Sequence, residues 1–439
     1  MKGGMSANTV VTETRAVEEV GRVQRRAFGV VLMVQIIGGF GGEMGAAVGG
    51  LLIIRMSGTP SLSGLSYCVM MIGSSLLALP AAWIMARGGR RPGLVMTYVC
   101  AATGASIIVC ATRFGSVPLA LAGMLLFGGV TVANFQSRYA AVDLSKPTAR
   151  GRRLSVLVWG MALGAVIGPN FAATADEQAQ RVHLPAMAGP FAMSAVVFVA
   201  GAVLVWSLLR PDPLLLARAI AEEARQGDVV APKANLMAAL RTVRSLPAAC
   251  MGIASTAVGH LVTIGVMAMT PVYLEIVLAG ERASNDQVLR TSGFVLALSI
   301  AGAYGAAPLA GWLADRWGRY PVISAGAVLL LAACALAGTA DTRTERLAIG
   351  LTLLGLGWCC TVVAGSALLA DSVPVETRPL AQGTSDLIMC LSGAIAAAVG
   401  GLVVGYAGFP VFTALLAATI AFLPVLGFRM KRSRSAKEG

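Results

Sequence analysis

The sequence of 439 residues contains little charge, since Asp, Glu, Lys and Arg make up only 13% of it. A soluble protein carries about a quarter of its residues as these four types, so this chain has too few charges to cover a soluble surface. Its eight cysteines form no Cys-x-x-Cys pair and it has only two histidines, which leaves no zinc motif. Phosphate-binding loops, His-Glu-x-x-His helices and nucleophile elbows are also absent. We therefore expect no enzyme, no cofactor and no metal site.

Long apolar runs are abundant instead. The chain is 56% hydrophobic with a mean hydropathy of +0.77, and its 52 glycines suit close helix packing in lipid. Twelve runs approach or exceed the roughly 20 residues that a helix needs to cross a bilayer. These predicted spans are residues 27–54, 62–86, 92–112, 117–142, 154–173, 187–209, 247–274, 288–314, 320–339, 347–370, 383–407 and 409–428. The pattern predicts an all-α integral membrane protein.

The positive charges are distributed unevenly along this pattern. Of the 34 lysines and arginines, 26 fall in the two tails and in the connections that share a face with them. Cytoplasmic segments carry an excess of Lys and Arg, so we expect both termini to be cytoplasmic in an inner or plasma membrane. The basic segment 429–439 follows the last span directly and indicates contact with anionic lipid. The net charge of +13 is thus an orientation signal, and no nucleic-acid partner is expected.

Two internal matches indicate a duplication. Residues 82–92 (AWIMARGGRRP) align with 311–321 (GWLADRWGRYP) at an offset of 229, and 143–150 (DLSKPTAR) with 371–378 (DSVPVETR) at 228. The charged interval 210–246, expected to contain a helix lying on the membrane surface, separates the two sets of six spans. The predicted organisation is a cytoplasmic tail (1–26), a six-helix bundle (27–209), a linker (210–246), a second six-helix bundle (247–428) and a basic tail (429–439).

The second copy resembles a known family signature. Its residues from Gly311 to Arg319 are similar to the G-x-L-A-D-R-x-G-R sequence between spans 8 and 9 of the major facilitator superfamily. The resemblance implies two pseudo-symmetric six-helix bundles around a central cavity that opens alternately to each side of the membrane. It also implies a secondary transporter, acting as a monomer on a small-molecule substrate.

The charged residues of both copies are expected to form a cytoplasmic gate between the bundles. Its predicted members are Gly311, Asp315, Arg316, Gly318, Arg319, Asp371, Arg378, Arg90, Asp143 and Arg150. The first copy departs from the signature because Ala82 replaces a glycine and Ala86 replaces the aspartate. We therefore expect the gate to depend on the second copy, with Asp143 as a partner for Arg90. The alternative is that these charges are solvated orientation signals, since exposed ion pairs contribute little.

Span 5 carries a second, partial resemblance. Its small-residue stripe is similar to the G-x-x-x-G-P element of drug and metabolite antiporters and is predicted to pack closely and kink at Gly160, Gly164, Gly168 and Pro169. The resemblance implies export. Ser155 and Ala172 occupy positions where the fuller element has glycine. The arginine found early in span 4 of many proton antiporters is missing, with Gly123 in that neighbourhood.

Polar and ionisable side chains inside spans are expensive and are candidate functional sites. The candidates for coupling or substrate binding are Glu43, Asp386, His260, Arg138, Gln35, Asn134 and Gln136. We expect Glu43 to carry the coupling proton, with Asp386 and His260 as secondary sites. Each has a structural alternative: a permanently paired carboxyl for Glu43, a helix-dipole contact for Asp386, a packing role for His260 and snorkelling for Arg138.

The function predicted from these features is proton-coupled efflux of a drug or metabolite by alternating access. An importer or facilitator of a small organic solute is the alternative within transport. A receptor or sensor that kept the fold is the alternative from another class, and it would need an output module that the short predicted tails do not offer.

Overall fold

The computed structural model is built almost entirely from helices. It describes residues 7–59, 63–223, 236–280, 285–341, 343–421 and 423. In chain order the α-helices are α1 (Ala7–Ser57), α2 (Ser63–Gly88), α3 (Arg90–Phe114), α4 (Val117–Phe127), α5 (Gly129–Ala140), α6 (Arg150–Asn170), α7 (Ala172–Arg181), α8 (Gly189–Leu208), α9 (Pro213–Glu223), α10 (Leu236–Ser245), α11 (Pro247–Gly280), α12 (Asn285–Gly305), α13 (Ala307–Trp317), α14 (Arg319–Gly338), α15 (Thr344–Ser372), α16 (Arg378–Ala407) and α17 (Phe409–Ala421).

Eleven helical stretches among the described residues are long and apolar enough to cross a membrane, and α17 is a shorter apolar helix. The predicted all-α membrane fold is thereby confirmed. Span 4 divides at Gly128 into α4 and α5, and span 8 divides at Ala306 into α12 and α13. Pro308, in the first turn of α13, lacks the N–H that would continue the helix. Near the N-terminus, α1 begins at Ala7, 20 residues before the predicted start of span 1 at residue 27.

The helices form two halves, each with its own buried core. In the first half, apolar side chains of α1, α3, α5 and α8 pack around Tyr98 and Phe127. In the second half, α11, α14, α15 and α17 pack around Leu330 and Phe412. A smaller cluster joins the halves where Leu154 of α6 meets α13 and α15. Large apolar side chains such as Leu76 and Leu402 are exposed on the outside of the two halves. Such side chains suit a surface that faces the lipid bilayer.

Alternate helix directions create two ends of the molecule. We call the end with Arg90, Asp143, Asp315 and Asp371 the charged face, and the end with Ser116 the opposite face. Two tight turns at the charged face join α2 to α3 and α13 to α14. Gly89 (φ 89°) and Gly318 (φ 97°) lie in these turns, in a backbone region that residues with a Cβ rarely adopt.

The described parts of the linker between the halves, residues 210–223 and 236–246, contain two short helices. Helix α9 follows α8 closely, and α10 precedes α11. Ala239 of α10 is buried against Ala82 and Ala86 of α2 and Leu380 of α16. The linker thus lies against both halves at the charged face. Residues 224–235 and the predicted basic tail 429–439 lie outside the described residues, and the domain limits stay a prediction.

Candidate functional site

The second copy of the repeated motif closes one side of the charged face. Asp315 of α13 accepts hydrogen bonds from the backbone N–H groups of Gly151 (2.9 Å) and Arg152 (2.8 Å). These donors belong to the first turn of α6, which has no partner for them within its own helix. A carboxylate at a helix N-terminus also compensates the positive end of the helix dipole. Asp315 therefore binds the second half to the first.

Arg319 adds three contacts at the same place. Its guanidinium donates to Asp315 (2.5 Å), to Asp371 (3.2 Å) and to the backbone oxygen of Pro147 (2.5 Å). Asp371 also accepts a hydrogen bond from Arg150 of α6. Because Pro147 and Arg150 belong to the first half, the cluster joins the halves through charge-assisted hydrogen bonds. Arg316, in contrast, is exposed and lies over the ring of Trp312.

The first copy uses different residues. Arg90, whose side chain is fully buried, makes two hydrogen bonds to Asp143 (2.7 and 3.2 Å). It also donates to Gln136 (3.1 Å) and, across the interface, to Gln382 of α16 (2.5 Å). Arg378 lies 3.8 Å from Asp143. The pair of Arg90 with Asp143 is the repeat equivalent of Arg319 with Asp371, whereas Ala86 offers no carboxylate in place of Asp315.

A second ion pair between the halves lies further from the charged face. Arg138 of α5 donates to Asp386 of α16 (2.5 Å), and Gln136 donates to the other oxygen of the same carboxylate (2.8 Å). All three side chains are buried. A buried charge that loses its partner is costly, so separation of the halves here requires water, substrate or a proton to replace the pair.

A cavity of about 330 Å³ lies between α2, α11 and α16. Its polar side chains are those of Tyr67, Cys68, His260 and Cys390, and most of the remaining lining consists of small or aliphatic residues. Its α2 residues lie near the start of that helix, which faces away from the charged face. Cavities of a few hundred Å³ with a few polar groups are typical of sites for small organic molecules.

Aromatic side chains from both halves surround His260. Trp358 of α15 donates from Nε1 to Nδ1 of His260 (3.3 Å), and Tyr304 of α12 packs edge-on against Trp358. Phe135 of α5, in the first half, packs edge-on against the imidazole. Because Nδ1 accepts a hydrogen bond, the neutral ring carries its proton on Nε2. His260 can therefore offer a donor to a solute in the cavity.

Glu43 is half-buried in α1. Its carboxylate makes no hydrogen bond or ion pair among the residues that the structure describes. Gln35 and Asn134 are buried, and each has a side-chain oxygen without a described hydrogen-bond partner. Polar atoms of this kind are rare in folded proteins.

The glycines predicted in span 5 lie on the face of α6 that contacts α1. A Cβ at Gly164 would collide with backbone atoms of Ile36 and Phe40, and one at Gly168 with the backbone oxygen of Phe40. At Gly160 the side chain of Leu32 lies 2.5 Å from the Cβ position. Pro169 lies one residue before the end of α6, so it marks the end of the helix rather than a kink within it.

The structure thus brings the predicted gate residues together, except Arg316, and places Asp386 against Arg138 and Gln136. Sequence reasoning missed Gln382, Tyr67 and Trp358. An uncharged amide at a helix start carries no special signal, but the two aromatic residues do. Aromatic residues make up only 6% of the chain. An aromatic residue in a span that also contains a polar side chain could therefore have been named as a candidate for a site inside the protein.

The comparisons with known proteins agree on the family. The family model of the Major Facilitator Superfamily matches residues 27–285 and 283–439. The uncharacterized MFS-type transporter YddS of Bacillus subtilis is 31% identical over 90% of this chain and 88% of its own length. The riboflavin transporter RfnT of Brucella anthropi is 26% identical over 94% of this chain and 98% of its own length.

Two further similarities concern a part of the sequence and the fold. The multidrug resistance protein MdtL of Escherichia fergusonii is 34% identical over 31% of this chain and 35% of its own length. The crystallised proton:xylose symporter XylE, 14% identical, superposes with a TM-score of 0.69 over 92% of this chain and 95% of its own. The chain belongs to the Major Facilitator Superfamily, and it is a multi-pass membrane transporter of small solutes rather than an enzyme.

Proposed function

We propose that this transporter exports a small organic solute in exchange for protons, from a cytoplasm that borders the charged face. The uneven distribution of Lys and Arg supports this orientation in a plasma or inner membrane. The Asp315 and Arg90 clusters close the charged face, which supports the interpretation that solute enters or leaves the cavity from the outside in this state.

The cavity between α2, α11 and α16 is the proposed solute site. Helices of both halves line it, so a bound solute contacts both and can bias their separation. Its apolar lining favours a solute with a substantial hydrocarbon or aromatic surface, and the Nε2 donor of His260 favours a hydrogen-bond acceptor on that solute. Trp358 holds the imidazole in the required orientation.

Glu43 is the proposed proton carrier, and its position is the single observation that carries the proposal. Its carboxylate lies in the membrane-spanning part of α1 and makes no ion pair among the residues that the structure describes. Asp386 is already held by Arg138 and Gln136. A carboxyl without a permanent partner can gain and lose a proton in each cycle, whereas a paired carboxylate must first leave its cation.

Support for export comes from the α6 glycine stripe and from the multidrug resistance relative, which matches only part of the chain. An importer or facilitator is the second candidate. The riboflavin transporter, whose name gives a solute but no direction of transport, matches nearly the whole chain and makes a vitamin one candidate solute for it. A strain lacking the gene and a strain overexpressing it, grown with a panel of dyes, antibiotics and vitamins, separate the two. Export predicts tolerance that rises with expression and is lost with an uncoupler, whereas import predicts growth dependence on an external nutrient.

Proton coupling is tested with the purified protein in vesicles containing the pH-sensitive dye pyranine. A compound selected by the growth panel is added, and Glu43→Gln is compared with the wild type and with Glu177→Gln, an exposed glutamate at the opposite face. We expect proton movement in the wild type and in the Glu177 variant and its loss in the Glu43 variant. Coupling of wild-type size in Glu43→Gln would exclude Glu43 as the proton carrier.

A further inference from the structure

The two sides of the charged face are built unequally. In the second copy, Asp315 caps α6 and Arg319 reaches the backbone oxygen of Pro147. The equivalent of Asp315 in the first copy, at an offset of 229, is Ala86, which has no carboxylate to offer.

The helix that an acid at position 86 would cap also differs. Gly151, whose N–H binds Asp315 in α6, corresponds at an offset of 228 to Pro379 in α16. Proline has no N–H, so an acid at position 86 would find one donor fewer than Asp315 finds. Arg90, the equivalent of Arg319, keeps the pairing with Asp143, the equivalent of Asp371, but its further contact across the interface is with the side chain of Gln382. The first copy therefore keeps the arginine–aspartate pair but lacks the carboxylate cap and the arginine contact with a backbone oxygen.

Arg218 of linker helix α9 lies in this gap. Its guanidinium donates from Nη1 to the backbone oxygen of Ala86 (2.8 Å) and from Nη2 to that of Glu376 (3.2 Å). Ala86 belongs to the first half, near the C-terminal end of α2, where carbonyl groups lack partners within the helix and a cation is favoured. Glu376 precedes α16 in the second half.

The contact with Glu376 resembles one from the other side. At the offset of 228 that aligns 143–150 with 371–378, Pro147 corresponds to Val375, the neighbour of Glu376. Arg218 thus donates to a backbone oxygen one residue away from the equivalent of the oxygen that Arg319 binds. Helix α10 adds an apolar contact between the same two helices, since Ala239 is buried against Ala86 of α2 and Leu380 of α16.

We propose that Arg218 is a positioning residue of the gate, which replaces from the linker the acid and arginine contacts that the first copy lacks. It holds α2 and α16 together while the charged face is closed, and it must release one of the two carbonyl groups when the halves separate. The linker is then a moving part of the transport cycle. This role depends on neither the solute, the direction of transport nor the coupling ion.

Hydrogen–deuterium exchange of the full chain in nanodiscs tests the proposal. Arg218→Ala should open the charged face more often and speed amide exchange about tenfold, since hydrogen bonds to a charged group shift an equilibrium by about one decade or more. The increase should appear in segments 82–92 and 374–384 and also in the distant copy, segments 147–153 and 311–319. Arg241→Ala, which removes an exposed arginine from the same linker, should leave all four segments unchanged.

Arg218→Lys keeps the charge with a single ammonium group, and we expect it to restore only part of the protection. This milder variant also keeps the test decisive if Arg218→Ala does not insert. Faster exchange confined to α9 would show that Arg218 only docks the linker and would overturn the proposal. Unchanged exchange in the gate segments, or full protection with lysine, would overturn the two-carbonyl clamp as well.

Discussion

Single residues at the charged face decide how the halves are joined. Asp315 is the best-connected of them, since one carboxylate binds two N–H groups of α6 and the guanidinium of Arg319. Its equivalent Ala86 binds through its backbone oxygen alone. The charged face therefore depends on side-chain charge at one copy and on a linker contact at the other.

Neutralising Asp315 should weaken the gate without changing its shape. Asparagine at this position retains one acceptor oxygen but loses the charge that favours the α6 N-terminus and Arg319. We expect Asp315→Asn to insert normally and to lower transport in vesicles by about tenfold, the size typical for loss of a charge-assisted hydrogen bond. Glu177→Gln serves as the charge-matched control. Wild-type transport by a normally inserted Asp315→Asn protein would contradict the assigned role.

The two turn glycines provide a matched pair. Gly318→Ala should lower the free energy of unfolding by about 1–3 kcal/mol, because alanine is strained at this backbone conformation. Gly89→Ala should cost more, since its Cβ would also lie 2.5 Å from the carboxyl carbon of Asp212, which accepts the N–H of Arg91. Thermal unfolding in detergent compares the two variants. An equal loss of unfolding free energy at both positions would show that the contact with Asp212 contributes nothing to stability.

At the scale of elements, the contact between α1 and α6 is a backbone-to-backbone crossing. Glycines on both helices allow it, with Gly39 facing α6 and Gly164 facing α1. The four-residue glycine spacing was sufficient to predict that α6 packs closely. It did not identify α1 as the partner, because spacing on one helix shows that a smooth face exists and carries no information about what covers it.

Gly164→Ala should therefore be poorly tolerated. Its Cβ would lie 2.5 Å from the backbone nitrogen of Phe40, so the helices must separate, at about 1–3 kcal/mol for an overpacked contact. Gly401→Ala in α16, where nothing lies within 4 Å of the Cβ position, should be neutral or slightly stabilising. Unfolding temperature in detergent is again the measurement, and an unaffected Gly164→Ala protein would refute the close crossing.

Much of the fold was predictable because span length, charge asymmetry and repetition are local or periodic signals. The site was predictable only in part. Asp315 and Arg90 stand in a repeated motif, but the partners Gln382 and Arg218 lie far away in sequence and have no motif of their own. Their role arises because the first copy lacks an acid at Ala86, and a missing residue does not indicate which distant residue replaces it.

At the scale of the whole molecule, two six-helix halves are joined at one end and enclose a cavity beyond the junction. Buried ion pairs lie at the closed end, as Arg90 with Asp143 does, and further inside, as Arg138 with Asp386 does. Such pairs are costly to break singly but can exchange partners together, as two-state elements do. We therefore expect the charged face to open as a unit.

The most direct test measures the distance between the halves at the charged face. Nitroxide labels on non-canonical amino acids at Lys146 and Trp317, two exposed positions beside the contact between Pro147 and Arg319, leave the native cysteines in place. In nanodiscs, pulsed electron paramagnetic resonance should give a short distance that matches the closed structure and a second, longer one. Asp315→Asn should enrich the longer distance. A single short distance in the wild type and in Asp315→Asn would contradict alternating access through this face.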